Sequence, residues 1–166
     1  MPKFIDIQKA IEAIVYISHK NGDLFHIVKI MYYADKFHLE GYGRLITGDY
    51  YVAMKDGPVP SGAYDIIKAV RGDGLSPIKE NPQEAFRVED WITIKPNRDP
   101  NLDYLSESDI EALNKAIDKY SPLSYQELWD IVHEEEPYKQ ARSDISLESI
   151  IKSLANADEI FEYMNS

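Results

Sequence analysis

Cysteine is absent from the 166-residue sequence, which excludes disulfide staples, thiolate catalysis and cysteine metal sites together. Long apolar runs are missing too. No segment approaches the roughly 18 apolar residues needed to span a bilayer. The opening residues, Met1-Pro2-Lys3-Phe4-Ile5-Asp6, bring in an acid before any stretch of signal-peptide length. A cytoplasmic location without a membrane partner is the resulting expectation. Nor is there a G-x-x-x-x-G-K motif followed by Ser or Thr, a G-x-G-x-x-G, an H-E-x-x-H or a G-x-S-x-G. Nucleotide binding and the common hydrolase mechanisms therefore have no support, and no cofactor and no catalytic residue is expected.

What is present describes a globular chain. The hydrophobic share of 44% and the charged share of 28% are ordinary for a folded protein, and the length fits one domain over residues 1–166 with its own core. Basic residues are scarce in one half only. Residues 1–100 carry 13 Lys and Arg against 14 Asp and Glu, whereas residues 101–166 carry 5 against 15. That second half repels a phosphate backbone, so nucleic acid is not an expected partner. Its acids either keep the domain soluble or steer a basic protein partner. Twelve Tyr serve cores and interfaces equally well.

Periodicity predicts a fold that is α+β, predominantly α-helical, with about six helices around a buried central one and a small antiparallel sheet or hairpin. Asp6 caps a first helix that buries Ile7, Ile11, Ile14 and Val15, with Asn21-Gly22 supplying the left-handed residue at its end. A second helix runs from about Asp23 to Glu40 and stops at Gly41. Apolar positions nearly encircle it, so it is the central helix. Tyr50 to Met54 reads as a strand, and Gly57-Pro58-Val59-Pro60 as a rigid turn into a helix over about 60–70 that buries Ala63, Tyr64, Ile67 and Val70. Residues 71–84 form a surface loop. Phe86-Arg87-Val88 and Ile92-Thr93-Ile94 read as a hairpin, although no Gly or Asn marks its turn. Ser106 with Asp109, and Ser124 with Glu127, start two further helices. A short turn follows Pro137, and a last helix runs from Ser146 towards Phe161.

Two polar constellations stand out. Asp35 and His38, three residues apart on the central helix, can bond each other, ligate a metal, shuttle a proton, or simply satisfy each other while pinning the helix against Lys55 or the Gly57 turn. His133-Glu134-Glu135-Glu136 closes a later helix, where the dipole favours a cationic His but not three acids. A metal site would require Asp35, His38 and His133 to converge, and none is assigned.

Residues Ile30 to Glu40, followed by Tyr42 to Asp49 and Tyr51 to Met54, resemble the signature of the Panacea domain, the SocA-like antitoxin family of phage-associated proteins. Gly57-Pro58-Val59-Pro60 with Tyr64 resembles its central turn and helix, and Leu128 to Ala141, with His133, Glu134, Pro137 and Tyr138, its second motif. Tyr138 stands where the family pattern has Trp. The resemblance runs from about residue 5 to 155. It implies an antitoxin that neutralises a cognate toxin by direct protein contact, with adaptation to a protease as a variant of that role. From the residues alone, a DNA-binding regulator with a winged-helix-like core is the alternative, and a metal-dependent enzyme built on Asp35, His38 and His133 a third reading. The third helix offers a duplex only Lys68 and Arg71, against Asp65.

Overall fold

A computed structural model describes residues 5–166, so the reading of Met1 to Phe4 lies outside the described residues. Among them are eight α-helices and five short strands, an α+β fold that is mostly helical. The two extra helices come from the end of the chain.

The first helix, α1 (Ile7–Ser18), is capped by Asp6 accepting from Lys9 N–H. It ends without a left-handed residue, because Asn21 N–H returns to the Ile17 carbonyl instead. Gly22 serves a different need. A Cβ there would run into the Ile94 carbonyl oxygen, and only a glycine lets the chain pass so close. The second helix, α2 (Leu24–Tyr42), is two residues longer than expected. Gly41 is helical, and Gly43 takes the left-handed cap with φ 74°. Twelve of the 19 residues of α2 are buried, Lys29, Asp35 and His38 among them. The helix touches α1, the second strand and four later helices, as a helix apolar on nearly every side must.

Gly57-Pro58-Val59-Pro60 is a strand rather than a turn. β1 (Tyr51–Met54) pairs antiparallel with β2 (Gly57–Pro60), with Val52 opposite Val59, and the reversal falls on Lys55 and Asp56. Each proline pushes the residue before it into extended geometry, which suits a strand as well as a corner. β2 lies at the edge of the sheet, the place where missing N–H groups cost least. Pro60 therefore ends the strand and caps α3 (Ser61–Arg71), but it has no side chain to offer the helix. Asp49 supplies it from outside: its carboxylate accepts from Gly62 and Ala63 N–H at 2.8 and 2.9 Å. Ala63, Ile66 and Ile67 form the buried side of α3, and Tyr64 and Val70 lie only half-buried.

β3 (Phe86–Glu89) and β4 (Thr93–Pro96) form the expected hairpin. Its turn uses Asp90 and Trp91 in left-handed geometry, at φ 50° and 68°, which explains why neither Gly nor Asn announced it. The Arg71 guanidinium lies 4.2 Å from the Trp91 ring and donates to its carbonyl at 3.0 Å, holding that unfavourable backbone in place.

Both expected capping boxes are present, opening α4 (Glu107–Tyr120) and α5 (Tyr125–His133). Pro137 does not lead into a turn. It sits in the first turn of α6 (Glu136–Gln140), where its missing N–H is no loss. β5 (Asp144–Ile145) adds a third strand beside β1. The expected last helix is two, α7 (Leu147–Lys152) and α8 (Ala157–Met164). The break falls at Asn156, whose side-chain amide donates to the Glu40 carbonyl at 2.9 Å near the end of α2. Among the described residues, no helix is long and apolar enough to cross a membrane.

Candidate functional site

The β1–β2 turn is where distant parts of the sequence meet. His133, at the end of α5, brings Nε2 to the Lys55 carbonyl at 2.9 Å and Nδ1 to the Trp129 carbonyl at 2.6 Å. Tyr138 on α6 donates its hydroxyl to the Met54 carbonyl at 2.7 Å. The Trp129 ring stacks on His133, centroids 3.5 Å apart, and Tyr138 meets His133 edge-on. Gly57 is packed from the other side. With φ 112°, it would place a Cβ 2.8 Å from Val132 Cγ2 and 3.3 Å from Lys29 Nζ. His133 and Tyr138 are thus brought to the turn beside Gly57, which lies far from both in the sequence.

The other expected site residues go elsewhere. Asp35 and His38 do not bond each other. Asp35 accepts from the Tyr51 hydroxyl at 2.5 Å and from Ile46 N–H at 2.7 Å. His38 has Nδ1 at the Arg44 carbonyl, 2.8 Å, and Nε2 at the Ser108 hydroxyl, 2.9 Å, with Asp109 3.5 Å away. Burial pushes the Asp35 carboxyl up to about 7, against the lowering pull of its two donors, and burial lowers the His38 imidazole. A neutral ring donating to Arg44 and accepting from Ser108 meets both contacts. Neither residue reaches Lys55 or the Gly57 segment; Asp35 ties α2 to the start of β1 through Tyr51 instead. The link to the Gly57 segment comes from Lys29, through the Pro58 carbonyl.

His133 therefore joins neither Asp35 nor His38. Among the described residues, no three His, Asp or Glu side chains are placed to hold a metal. Of the three acids after His133, Glu134 and Glu136 are exposed and face Lys139. Glu135 turns inward, accepting from the Tyr32 hydroxyl at 2.8 Å and pairing with Lys36 at 2.7 Å. Lys68 and Arg71 on α3 pair with Asp65 and Asp73 and lie against the Tyr64 ring.

Tyr51 is the donor that sequence reading overlooked, because a strand tyrosine looks like any core aromatic. Replacing it with Phe should cost about 1–3 kcal/mol, the penalty for leaving a buried acceptor without its donor. The loss should be larger above about pH 7, where Asp35 is ionised. Urea titration on either side of neutrality measures both effects.

The remaining omission is Lys29 and the cleft beside it. The cleft, of about 370 Å³, opens between the start of α2 and the β1–β2 hairpin, and Phe25, Val28, Lys29, Met54, Val59, Tyr64, Ile92 and Tyr125 contribute to its lining. Lys29 is 1% exposed and donates from Nζ to the Pro58 carbonyl at 2.8 Å. Burial lowers its ammonium to about 7, partly offset by Asp56. One signal was in the sequence: Lys29 is a cation between Val28 and Ile30 on a helix apolar all round. Around the cleft mouth Met54, Ile92 and Tyr125 are exposed, as is Trp91 in the neighbouring hairpin turn.

Comparison with protein families matches residues 27–139, about two thirds of the chain, to the model described as Antitoxin SocA-like, Panacea domain. The matched span is shorter at both ends than the resemblance suggested, but it holds the motif residues that carried it except Gln140 and Ala141, at the end of the second motif. No curated protein matches the chain. No solved structure does either.

Proposed function

The chain belongs to the SocA-like antitoxin family, whose domain is the Panacea domain, and from this premise we propose that it is the antitoxin of a toxin–antitoxin pair, holding its cognate toxin inactive by direct protein contact. The family match is the observation that carries the reading, and a toxin–antitoxin-related role follows from it. In our reading residues 1–166 form one such domain in the cytoplasm, and Asp35, His38, Gly57, Pro58, His133 and Tyr138 act as its scaffold rather than as chemistry.

The surface around the β1–β2 hairpin suits a protein partner. Met54, Trp91, Ile92 and Tyr125 are between 44% and 57% exposed, and aromatic residues and methionine are enriched where proteins meet. Beside them, Glu127 and Asp130 on α5 and Glu134 just after it are all exposed. Such acids accelerate encounter with a basic partner. A protease-adaptor role would use the same domain with a second partner.

The test is co-expression with the protein encoded next to it. The expected result is a stable stoichiometric complex and rescue of growth. Tyr125→Arg should weaken the complex by at least about 30-fold, the scale of a contact worth roughly 2 kcal/mol. A neighbour that neither binds nor becomes harmless would sink the proposal.

A further inference from the structure

A buried ammonium beside an apolar cleft is a costly arrangement unless something pairs with it. Lys29 has three N–H donors and uses one, on the Pro58 carbonyl. The Phe25 ring lies 5.3 Å from its Nζ. Among the described residues no carboxylate comes within ion-pair distance of it. The two acids that line the cleft are otherwise engaged. Asp23 caps α2 and bonds His26 Nδ1 at 2.7 Å. Asp56 faces the Trp129 indole N–H at 3.4 Å and the Tyr125 hydroxyl.

The cleft itself has the build of a small-molecule site. Its volume of about 370 Å³ falls within the range of roughly 300–1,000 Å³ usual for such pockets. The accessible wall is mainly apolar, as in sites where hydrocarbon supplies affinity and polar contacts fix orientation. A hydrocarbon body would cover Phe25, Val28, Met54 and Val59. A carboxylate at its end would give Lys29 the charged, hydrogen-bonded partner that the chain lacks, which is where such bonds are strongest.

We propose that this cleft binds a small organic acid with an apolar body, taken from solution, whose carboxylate pairs with Lys29. The site is independent of the antitoxin reading: the acid needs no toxin, and failure of either proposal leaves the other standing.

Sodium octanoate and 1-octanol are suitable probes, titrated into the full chain by calorimetry and by amide NMR. Octanoate should saturate, move the amides of Phe25, Val28 and Val59, and bind at least about tenfold more tightly than octanol near neutral pH. Its affinity should fall as pH rises from about 7, because the complex needs the protonated amine while free Lys29 loses its proton there. Octanol should show no such fall. The other titratable groups facing the cleft are Asp23 on α2, Lys55 and Asp56 in the hairpin turn, Tyr64 on α3 and Tyr125 on α5. Lys29→Met should abolish the preference for octanoate, and Asp56→Asn should leave it in place. Absence of octanoate binding at millimolar concentration, equal binding of octanol, or an unchanged preference in Lys29→Met would each overturn the proposal. The comparison of the two probes on the unaltered chain decides the matter even if the Lys29 variant does not fold.

Discussion

Gly57→Ala is expected to lower the unfolding free energy by about 3 kcal/mol, the combined scale of left-handed strain and an overpacked core contact. Two separate faults are introduced. Alanine at φ 112° occupies backbone geometry that side chains rarely adopt. Its Cβ also falls 2.8 Å from Val132 Cγ2, under α5, and 3.3 Å from Lys29 Nζ. Val132 is fully buried, and Lys29 can move aside only by giving up its bond to Pro58. For a domain whose total stability lies in the range of about 5–15 kcal/mol, this moves the urea midpoint plainly. Val132→Ala should cost stability alone but recover part of the loss when combined with Gly57→Ala, because the methyl that clashes is gone. The double-mutant cycle therefore shows coupling, and the uncovered remainder reports the backbone strain. A Gly57→Ala variant within about 0.5 kcal/mol of the parent chain, the scale of an ordinary surface change, would mean that β2 can shift away from α5, contrary to the packing described above.

Gly57 also shows how far local reading reaches. Two prolines and a glycine announce rigid, extended backbone wherever they fall, and that much was legible. Whether such backbone becomes a corner or an edge strand depends on what lies beside it, here Tyr51 to Met54. The same limit appears at Gly22, where the need for glycine comes from Ile94, 72 positions away, and not from the helix it follows. Elements written in local chemistry came through: the capping boxes at Ser106 and Ser124, the Asp6 cap, and the encircling apolar pattern of α2. The break between α7 and α8 did not, because Asn156 is held there by a carbonyl on α2.

The site divides along the same line. His133 and Tyr138 stood out as residues, yet their targets are main-chain carbonyls of Met54 and Lys55, and every residue carries a carbonyl, so no side-chain pattern marks them. Asp35 and His38 suggested a pair by spacing alone. Three positions apart on a helix places two side chains on one face, but each found a stronger partner from another element, Tyr51 for one and Arg44 with Ser108 for the other. Lys29 was legible in principle. A cation flanked by apolar residues on a buried helix must either reach solvent or find an acceptor, and here it finds Pro58.

That burial has a measurable signature in the pH dependence of stability. The Lys29 amine falls from an ordinary 10.5 to about 7 on folding. The folded chain thus holds fewer protons than the unfolded one between those values, and stability rises with pH across that window, by up to about 1.36 kcal/mol per unit. The contribution is fully present above the unfolded value and lost as pH falls towards about 7. Lys29→Met has no amine to titrate. The stability of the parent chain relative to the variant should therefore increase by roughly 3 kcal/mol between about pH 7 and about pH 9.5, read from urea titrations at matched ionic strength. Asp35 acts with the opposite sign in the neighbouring window. Its carboxyl rises from 3.8 to about 7, so its contribution is present at acid pH and disappears as pH climbs through about 7. Lys29 and Asp35 together place their combined stabilisation at its lowest near neutrality. A parent-minus-variant difference that stays flat through this range would mean that Lys29 keeps its proton in the folded chain, and that its surroundings already supply the countercharge which the cleft is argued to lack.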